Sequence, residues 1–284
     1  MRILILGGDG MLGHRLLRHL LARHAVRATL RQDRAAYARW SLFNRDNSYC
    51  GVDVRDTEKL DEVLGDFQPE AVVNCVGIVK QRDEAHDRRT SIEINALLPH
   101  RIALLGRAAR FRLIHLSTDC VFSGSRGNYA EGDVADAEDV YGRSKFLGEV
   151  ADDGCITLRT SIIGPELSRK TGLLEWFLAQ RGKSVTGFRR AIFSGFTTVE
   201  MSRIIETLLV DHPEANGLFH VSSAPISKYD LLVKINDALG LGISIKADES
   251  FQCDRSLDSS RFRARFNYRA PAWDAMIAEL AGEL

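Results

Sequence analysis

The sequence predicts an α/β protein, a doubly wound parallel sheet with a smaller C-terminal part. Short apolar runs alternate with segments of helical period from the first residues onward, as βαβ units do. Runs such as Ile3–Leu6 and Ala71–Cys75 are apolar without alternation, as expected of parallel strands covered on both faces. Glycines crowd the junction between the first strand and the first helix, Gly7 to Gly13. In order, strands are expected at Ile3–Leu6, Val26–Leu30, Ala71–Cys75 and Leu113–Leu116, with the first helix at Leu12–Arg23. Further helices are expected at Thr57–Leu64, Ser91–Arg110, Tyr141–Val150, Leu173–Arg181, Val199–Val210, Lys228–Leu239 and Ala272–Leu284, the second of these kinked or interrupted at Pro99. Beyond Pro165 the alternation becomes irregular, with short strands at Leu218–Val221 and Ile243–Ile245. Residues 1–165 are accordingly expected to form a dinucleotide-binding Rossmann domain on which 199–221 packs back. Residues 166–198 and 222–284 are expected to form the smaller, substrate-binding part.

Composition excludes several classes. The chain has 284 residues, 45% of them hydrophobic, and 38 Lys+Arg balance 38 Asp+Glu. That is enough apolar material for a substantial core. Neutrality argues against binding nucleic acid or an anionic membrane through bulk charge. The five cysteines are scattered without a CxxC, fitting reduced thiols and a cytoplasmic location. No run approaches a membrane span, and the eight histidines show no metal-ligand spacing, so no metal is expected.

Gly7-Gly8-Asp9-Gly10-Met11-Leu12-Gly13 lies between a strand and a helix, the context that marks a dinucleotide fingerprint. Glycine permits the tight turn and the close approach of backbone N–H groups to a pyrophosphate at the helix N-terminus. Gly7, Gly10, Met11, Leu12 and Gly13 are the cofactor-binding candidates here. The end of the second strand separates NADP from NAD, because an arginine there accommodates a 2′-phosphate whereas a carboxylate bonds the ribose 2′-OH. Arg31 follows that strand and favours NADPH; Asp33, flanked by Arg31 and Arg34, keeps NADH as the alternative.

Tyr141 and Lys145 stand four residues apart, on one face of a helix. Ser117-Thr118-Asp119 ends a strand, at the edge where doubly wound sheets bind ligands. A phenol can donate a proton to a carbonyl oxygen as hydride reaches its carbon, a neighbouring ammonium lowers the phenol's pKa, and Thr118 can hydrogen-bond the same oxygen. Cys75 and Cys120 are read as buried spectators and His115 as a packed core residue.

The glycine loop, the Ser-Thr-Asp strand end and the YxxxK pair together resemble the extended short-chain dehydrogenase/reductase family over essentially the whole chain. Ser117 to Gly124 followed by Tyr141-Gly142-Arg143-Ser144-Lys145 resembles its dTDP-4-dehydrorhamnose reductase branch. The resemblance implies that Tyr141 is the proton donor, that Lys145 orients the nicotinamide ribose and lowers the phenol pKa, and that Thr118 fills the usual hydroxyl place, with Asp119 assisting at the substrate. Ser117 falls at the cofactor. The resemblance also implies that Asp53-Val54 meets the adenine, that Cys75, Val76 and Gly77 lie along the cofactor, and that Asn95 supports the active-site backbone. Leu158 to Pro165 resembles the strand and loop that close over the nicotinamide. Val79-Lys80-Gln81, Phe193-Ser194-Gly195-Phe196 and Asp254 to Asp258 depart from the branch's usual wording at places expected to meet substrate, so the sugar and nucleotide stay open. Lys80 and Arg255 are candidate partners of a substrate diphosphate.

The reading is therefore an NADPH-dependent reductase of a nucleotide-linked 4-keto-6-deoxy sugar in deoxysugar and surface-polysaccharide biosynthesis. The alternatives are an NAD-dependent epimerase or dehydratase of the same fold, and a non-catalytic cofactor-binding regulatory subunit. The expected partner is a small sugar nucleotide, with a homodimer left open.

Overall fold

The computed structural model describes residues 1–79, 87–168 and 170–284. Its main sheet has seven strands in the order β11-β6-β5-β4-β1-β2-β3. These are β1 (Arg2–Leu6), β2 (Ala25–Thr29), β3 (Ser48–Tyr49), β4 (Ala71–Asn74), β5 (Arg112–Thr118), β6 (Cys155–Thr160) and β11 (Gly217–His220). β1 pairs in parallel with both β2 and β4, so the strand order reverses beside β1, and a doubly wound sheet has its ligand crevice outside the carboxyl ends there. The predicted sheet is the one observed.

The core explains the apolar strands. Ile3, Leu4, Ile5 and Leu6 of β1 are all fully buried, so both faces of the strand are covered. Leu4 and Leu6 cluster with Leu60 and Val63 of α2 (Thr57–Phe67) and Ile102 of α4 (Leu98–Ala109). α1 (Met11–Leu20) packs on β1 and β2, and its His19 Nε2 lies 2.8 Å from Glu206 of α7 (Thr198–Val210). Asp56 caps α2, accepting from the Lys59 N–H at 3.1 Å.

The helix predicted over Ser91–Arg110 is compound. A turn of α-helix, α3 (Arg88–Ser91), leads into a π-helical segment Ile92–Leu97 and then α4, with Pro99 in the first turn of α4. The Leu98 N–H still bonds back to the Glu93 carbonyl, so Pro99, which has no N–H to donate, sits where the π-helical ladder hands over to the α-helical one.

The chain divides into two compact units: Met1–Ser117 with Asp139–Leu158 and Ser202–Leu218, and Thr118–Glu138 with Arg159–Met201 and Phe219–Leu284. Residues 118–138 and 159–165 thus cluster with the later chain. In the second unit the strand expected at Ile243–Ile245 is β13 (Ser244–Asp248), which runs parallel to β8 (Ser184–Phe188); β9 (Ala191–Phe193) lies between β12 (Ile226–Ser227) and β14 (Cys253–Asp254), and β10 (Phe196–Thr197) beside β7 (Ile162–Ile163). Its α8 (Lys228–Leu239) is capped by Ser227, and α9 (Ser260–Phe266) was not predicted. Phe262 and Phe266 of α9 meet each other at 4.8 Å between centroids and both meet Phe219. α6 (Leu173–Leu178) and α10 (Trp273–Ala281) are shorter than expected. No helix among the described residues is long and apolar enough to cross a membrane.

Candidate functional site

The glycine loop is built by close approach. Gly7 has φ +82°, and the Gly10 N–H returns to the Gly7 carbonyl at 3.1 Å. A Cβ on Gly13 would stand 2.1 Å from the Gly7 oxygen, and one on Gly8 would stand 2.5 Å from the Ala28 Cβ, so α1 and β2 approach the turn as closely as backbone allows. Gly10 caps α1 without a side chain, and no acidic residue occupies the first turn. This cradle fits a dinucleotide pyrophosphate, which needs close backbone and a helix N-terminus clear of side chains. Met11 is half-buried beside buried Leu12 and Gly13.

Arg31 is exposed just past β2. Arg34 donates to the Ser48 carbonyl at 3.2 Å. Asp53 forms an ion pair with Arg55 at 2.6 Å, and the Arg55 hydrogen bonds, with further help from Arg31, hold its carboxyl below the usual range. Val54 beside it is buried.

Tyr141 and Lys145 lie on α5 (Val140–Leu147), whose start is fixed by Asp139 accepting from the Gly142 N–H at 2.8 Å. Lys145 is 4% exposed, and its Nζ donates to the Leu116 carbonyl of β5 at 2.6 Å. Burial lowers its pKa to about 8, against the opposing charge of Glu149. Ser117 spends its hydroxyl on Glu149, at 2.7 Å.

Asn95 sits inside the π-helical segment and ties three pieces together. Its Oδ1 accepts from the Ile78 N–H at 2.9 Å, and its Nδ2 donates to the Ile78 carbonyl at 3.0 Å and to the Ser144 Oγ at 3.2 Å. Gly148 closes the same contact, since a Cβ there would stand 1.9 Å from the Asn95 carbonyl. π-Bulges recur at functional sites, and this one aims an amide at the chain leaving β4 and at α5 together. Sequence reading found Asn95 but not Ser144, Gly148 or Asp139; the Asp139-Val-Tyr-Gly142 spacing is the cap signal that was available for the last.

Asn74 Nδ2 donates to His115 Nδ1 at 3.2 Å, and burial, with the Lys145 charge adding to it, drives the His115 pKa well down, so the ring is a neutral core group. Cys75 and Cys120, expected to be buried, are each half-buried; desolvation pushes the Cys75 thiol up to about 12, which keeps it in the neutral form. Val76 packs against Gly7, and Gly77 faces Asn95.

In the second unit, Thr118 Oγ1 accepts from the Cys120 N–H at 3.1 Å and donates to buried Asp119 at 3.2 Å. Arg255 donates from Nε to the Phe122 carbonyl at 2.7 Å and from a terminal nitrogen to the Ser123 carbonyl at 2.9 Å. Around it the 254–258 segment zips onto 124–129: Asp254 N–H to Gly124, Tyr129 N–H to Ser256, Asp258 N–H to Tyr129. Arg255 therefore staples the loop that follows Asp119, a task its sequence neighbours did not reveal. Ser194 and Gly195 are buried, Gly195 with no room for a Cβ beside the Ser161 carbonyl. Lys80 lies outside the described residues.

Comparisons with known proteins agree with this architecture. A reductase of low-salt glycan biosynthesis, Agl14 of Haloferax volcanii, named as probable, is 26% identical over 272 residues, 91% of this chain and 87% of that protein. The dTDP-4-keto-6-deoxy-D-glucose reductase of Streptomyces niveus is 31% identical over 242 residues, 81% and 76% of the two chains. Methionine adenosyltransferase 2 subunit beta of Bos taurus is 24% identical over 260 residues, 84% and 72%. Among solved structures, a hypothetical dTDP-4-dehydrorhamnose reductase of Sulfolobus tokodaii superposes with TM-score 0.78 at 26% identity, covering 97% of this chain and 99% of that one. The Bacillus anthracis dTDP-4-dehydrorhamnose reductase in complex with NADP gives 0.80 at 19%, covering 99% of each, and shares the fold. The model of the RmlD substrate binding domain matches residues 1–284, and the chain belongs to that family.

Proposed function

We propose that this chain is an NADPH-dependent reductase of a nucleotide-linked 4-keto-6-deoxy sugar, serving deoxysugar and surface-polysaccharide synthesis. The observation that carries the reading is α5: Tyr141 one turn before a buried Lys145 whose Nζ is anchored on the Leu116 carbonyl, at the carboxyl end of β5. A bound reduced nicotinamide supplies the hydride. Tyr141 gives its proton to the sugar's carbonyl oxygen, and the Lys145 ammonium lowers the phenol's pKa and holds the nicotinamide ribose. Thr118 and Asp119 stand at the substrate. The dTDP-keto-sugar reductases among the relatives support the substrate class, and neighbours of the same fold solved with NADP or NAD support the cofactor class. A dehydratase would need a second acid beside Thr118-Asp119, where Cys120 stands.

Lys145 has a pH signature. Its folded pKa of about 8 lies below the ordinary 10.5 because burial penalises the charge. The stability this group contributes is thus fully present above pH 10.5 and lost as pH falls through about 8. For catalysis the ammonium is the working form, so kcat/KM for the cofactor should fall as pH rises through that region. Lys145→Ala should remove this alkaline limb and weaken cofactor binding together; an unshifted pH–rate profile in the variant would contradict the assignment.

Arg31→Ala should weaken NADPH more than NADH, by roughly 1–3 kcal/mol for one charge-assisted contact to the 2′-phosphate. Titration of both cofactors reads this, and equal losses would move the ribose role to Asp33.

A second reading is a cofactor-binding subunit without turnover, and the relatives named as a subunit, methionine adenosyltransferase 2 subunit beta, support it. Such a protein would bind NADPH and leave every keto-sugar substrate untouched.

A further inference from the structure

The glycine loop carries a carboxylate that the pyrophosphate cradle does not use. Asp9 Oδ2 accepts a hydrogen bond from the Tyr37 hydroxyl at 2.9 Å. The same phenolic oxygen accepts from the Gln32 N–H at 3.2 Å. Gln32 directly follows Arg31, so Asp9 is two hydrogen bonds in series from the backbone that presents Arg31 to the adenosine ribose. Tyr37 is 4% exposed and wedged between Trp40 and Phe43, with ring centroids 6.1 and 5.5 Å away. Burial, with Asp9 adding to it, pushes the phenol up to about 12, so it stays a neutral donor across the working pH range. Nearby, Asp53 pairs with Arg55 and also feels the charge of Arg31, and Arg34 reaches the Ser48 carbonyl.

A carboxylate held here acts oppositely on the two cofactors. A ribose 2′-hydroxyl can donate to it, whereas a 2′-phosphate meets like charge. We propose that Asp9, positioned by Tyr37, sets the discrimination between NADPH and NADH by opposing the attraction of Arg31 for the 2′-phosphate. The inference rests on the reading of the glycine loop as a nicotinamide dinucleotide site and adds a second selector to it.

The test is titration of NADPH and NADH into the wild type, Asp9→Asn, Tyr37→Phe and the double variant, with folding checked by circular dichroism and Tm. An asparagine retains an oxygen that accepts from Tyr37, so only the charge is removed. The ratio of NADPH to NADH affinity should rise about tenfold in Asp9→Asn, the scale of one like-charge repulsion near a protein surface. Tyr37→Phe, which releases the carboxylate, should raise the ratio by less, and the double variant should match Asp9→Asn. An unmoved ratio in folded Asp9→Asn overturns the proposal, as does a further shift on adding Tyr37→Phe, which would give the phenol a direct role. If the wild type binds neither cofactor, the dinucleotide reading itself fails, an outcome separate from an unmoved ratio.

Discussion

Replacing Tyr141 by Phe is expected to slow turnover at least about a hundredfold, the contribution of a positioned general acid, while fold and cofactor affinity stay near wild type. The phenyl ring keeps the packing of a half-buried residue on α5, and neither the Asp139 cap nor the Asn95–Ser144 contact involves the phenol oxygen. The loss should fall on kcat, because the proton is needed only as charge develops on the substrate oxygen. Steady-state kinetics with cofactor and sugar nucleotide varied in turn would show it; undiminished kcat would remove Tyr141 from the chemistry.

The other large effect is expected at Gly13. A methyl there points at the Gly7 oxygen, the Gly7 carbonyl carbon and the Gly8 Cα at 2.1, 2.9 and 3.0 Å, all backbone atoms of the turn that would carry the pyrophosphate. Gly13→Ala must push α1 off that turn, at a cost of about 1–3 kcal/mol in stability and at least about tenfold in cofactor affinity. Gly65→Ala is the matched control: nothing lies within 4 Å of its Cβ, and it sits within α2. That substitution should be neutral or stabilise by up to about 1 kcal/mol. Thermal melts and NADPH titrations of the two variants compare close packing with mere loss of glycine; equal behaviour would mean the Gly7–Gly13 approach is unimportant.

The first unit was legible because its signals are local. β1, the glycine turn and α1 follow within twenty residues, and burial on both faces of β1 leaves an apolar run with no alternation. The π-helical segment was not legible: Ile92–Leu97 has helical composition, and one extra residue in a turn leaves no mark in a period read across the whole helix. Pro99 marked the position of the change but not the π-helical turns before it. In the second unit, strands of two or three residues such as β9 and β14 are too short for alternation to register. Arg255 shows the harder limit. Its partners, Phe122 and Ser123, lie more than a hundred residues away, so the backbone contacts that hold this cation could not be read beside Asp254 and Asp258. The Asp9–Tyr37 pair was hidden similarly, each residue ordinary until β2 and the chain after it bring them together.

The central claim is hydride transfer to a keto sugar with Tyr141 as acid. It is tested most directly by incubating the wild type with NADPH and a panel of nucleoside-diphosphate 4-keto-6-deoxy sugars, following nicotinamide absorbance and identifying the product by NMR. The expected result is stoichiometric oxidation of NADPH with at least one of them and a product bearing a hydroxyl at C4. Tight binding of NADPH with no oxidation by any member of the panel would contradict the reductase and leave the binding subunit in its place.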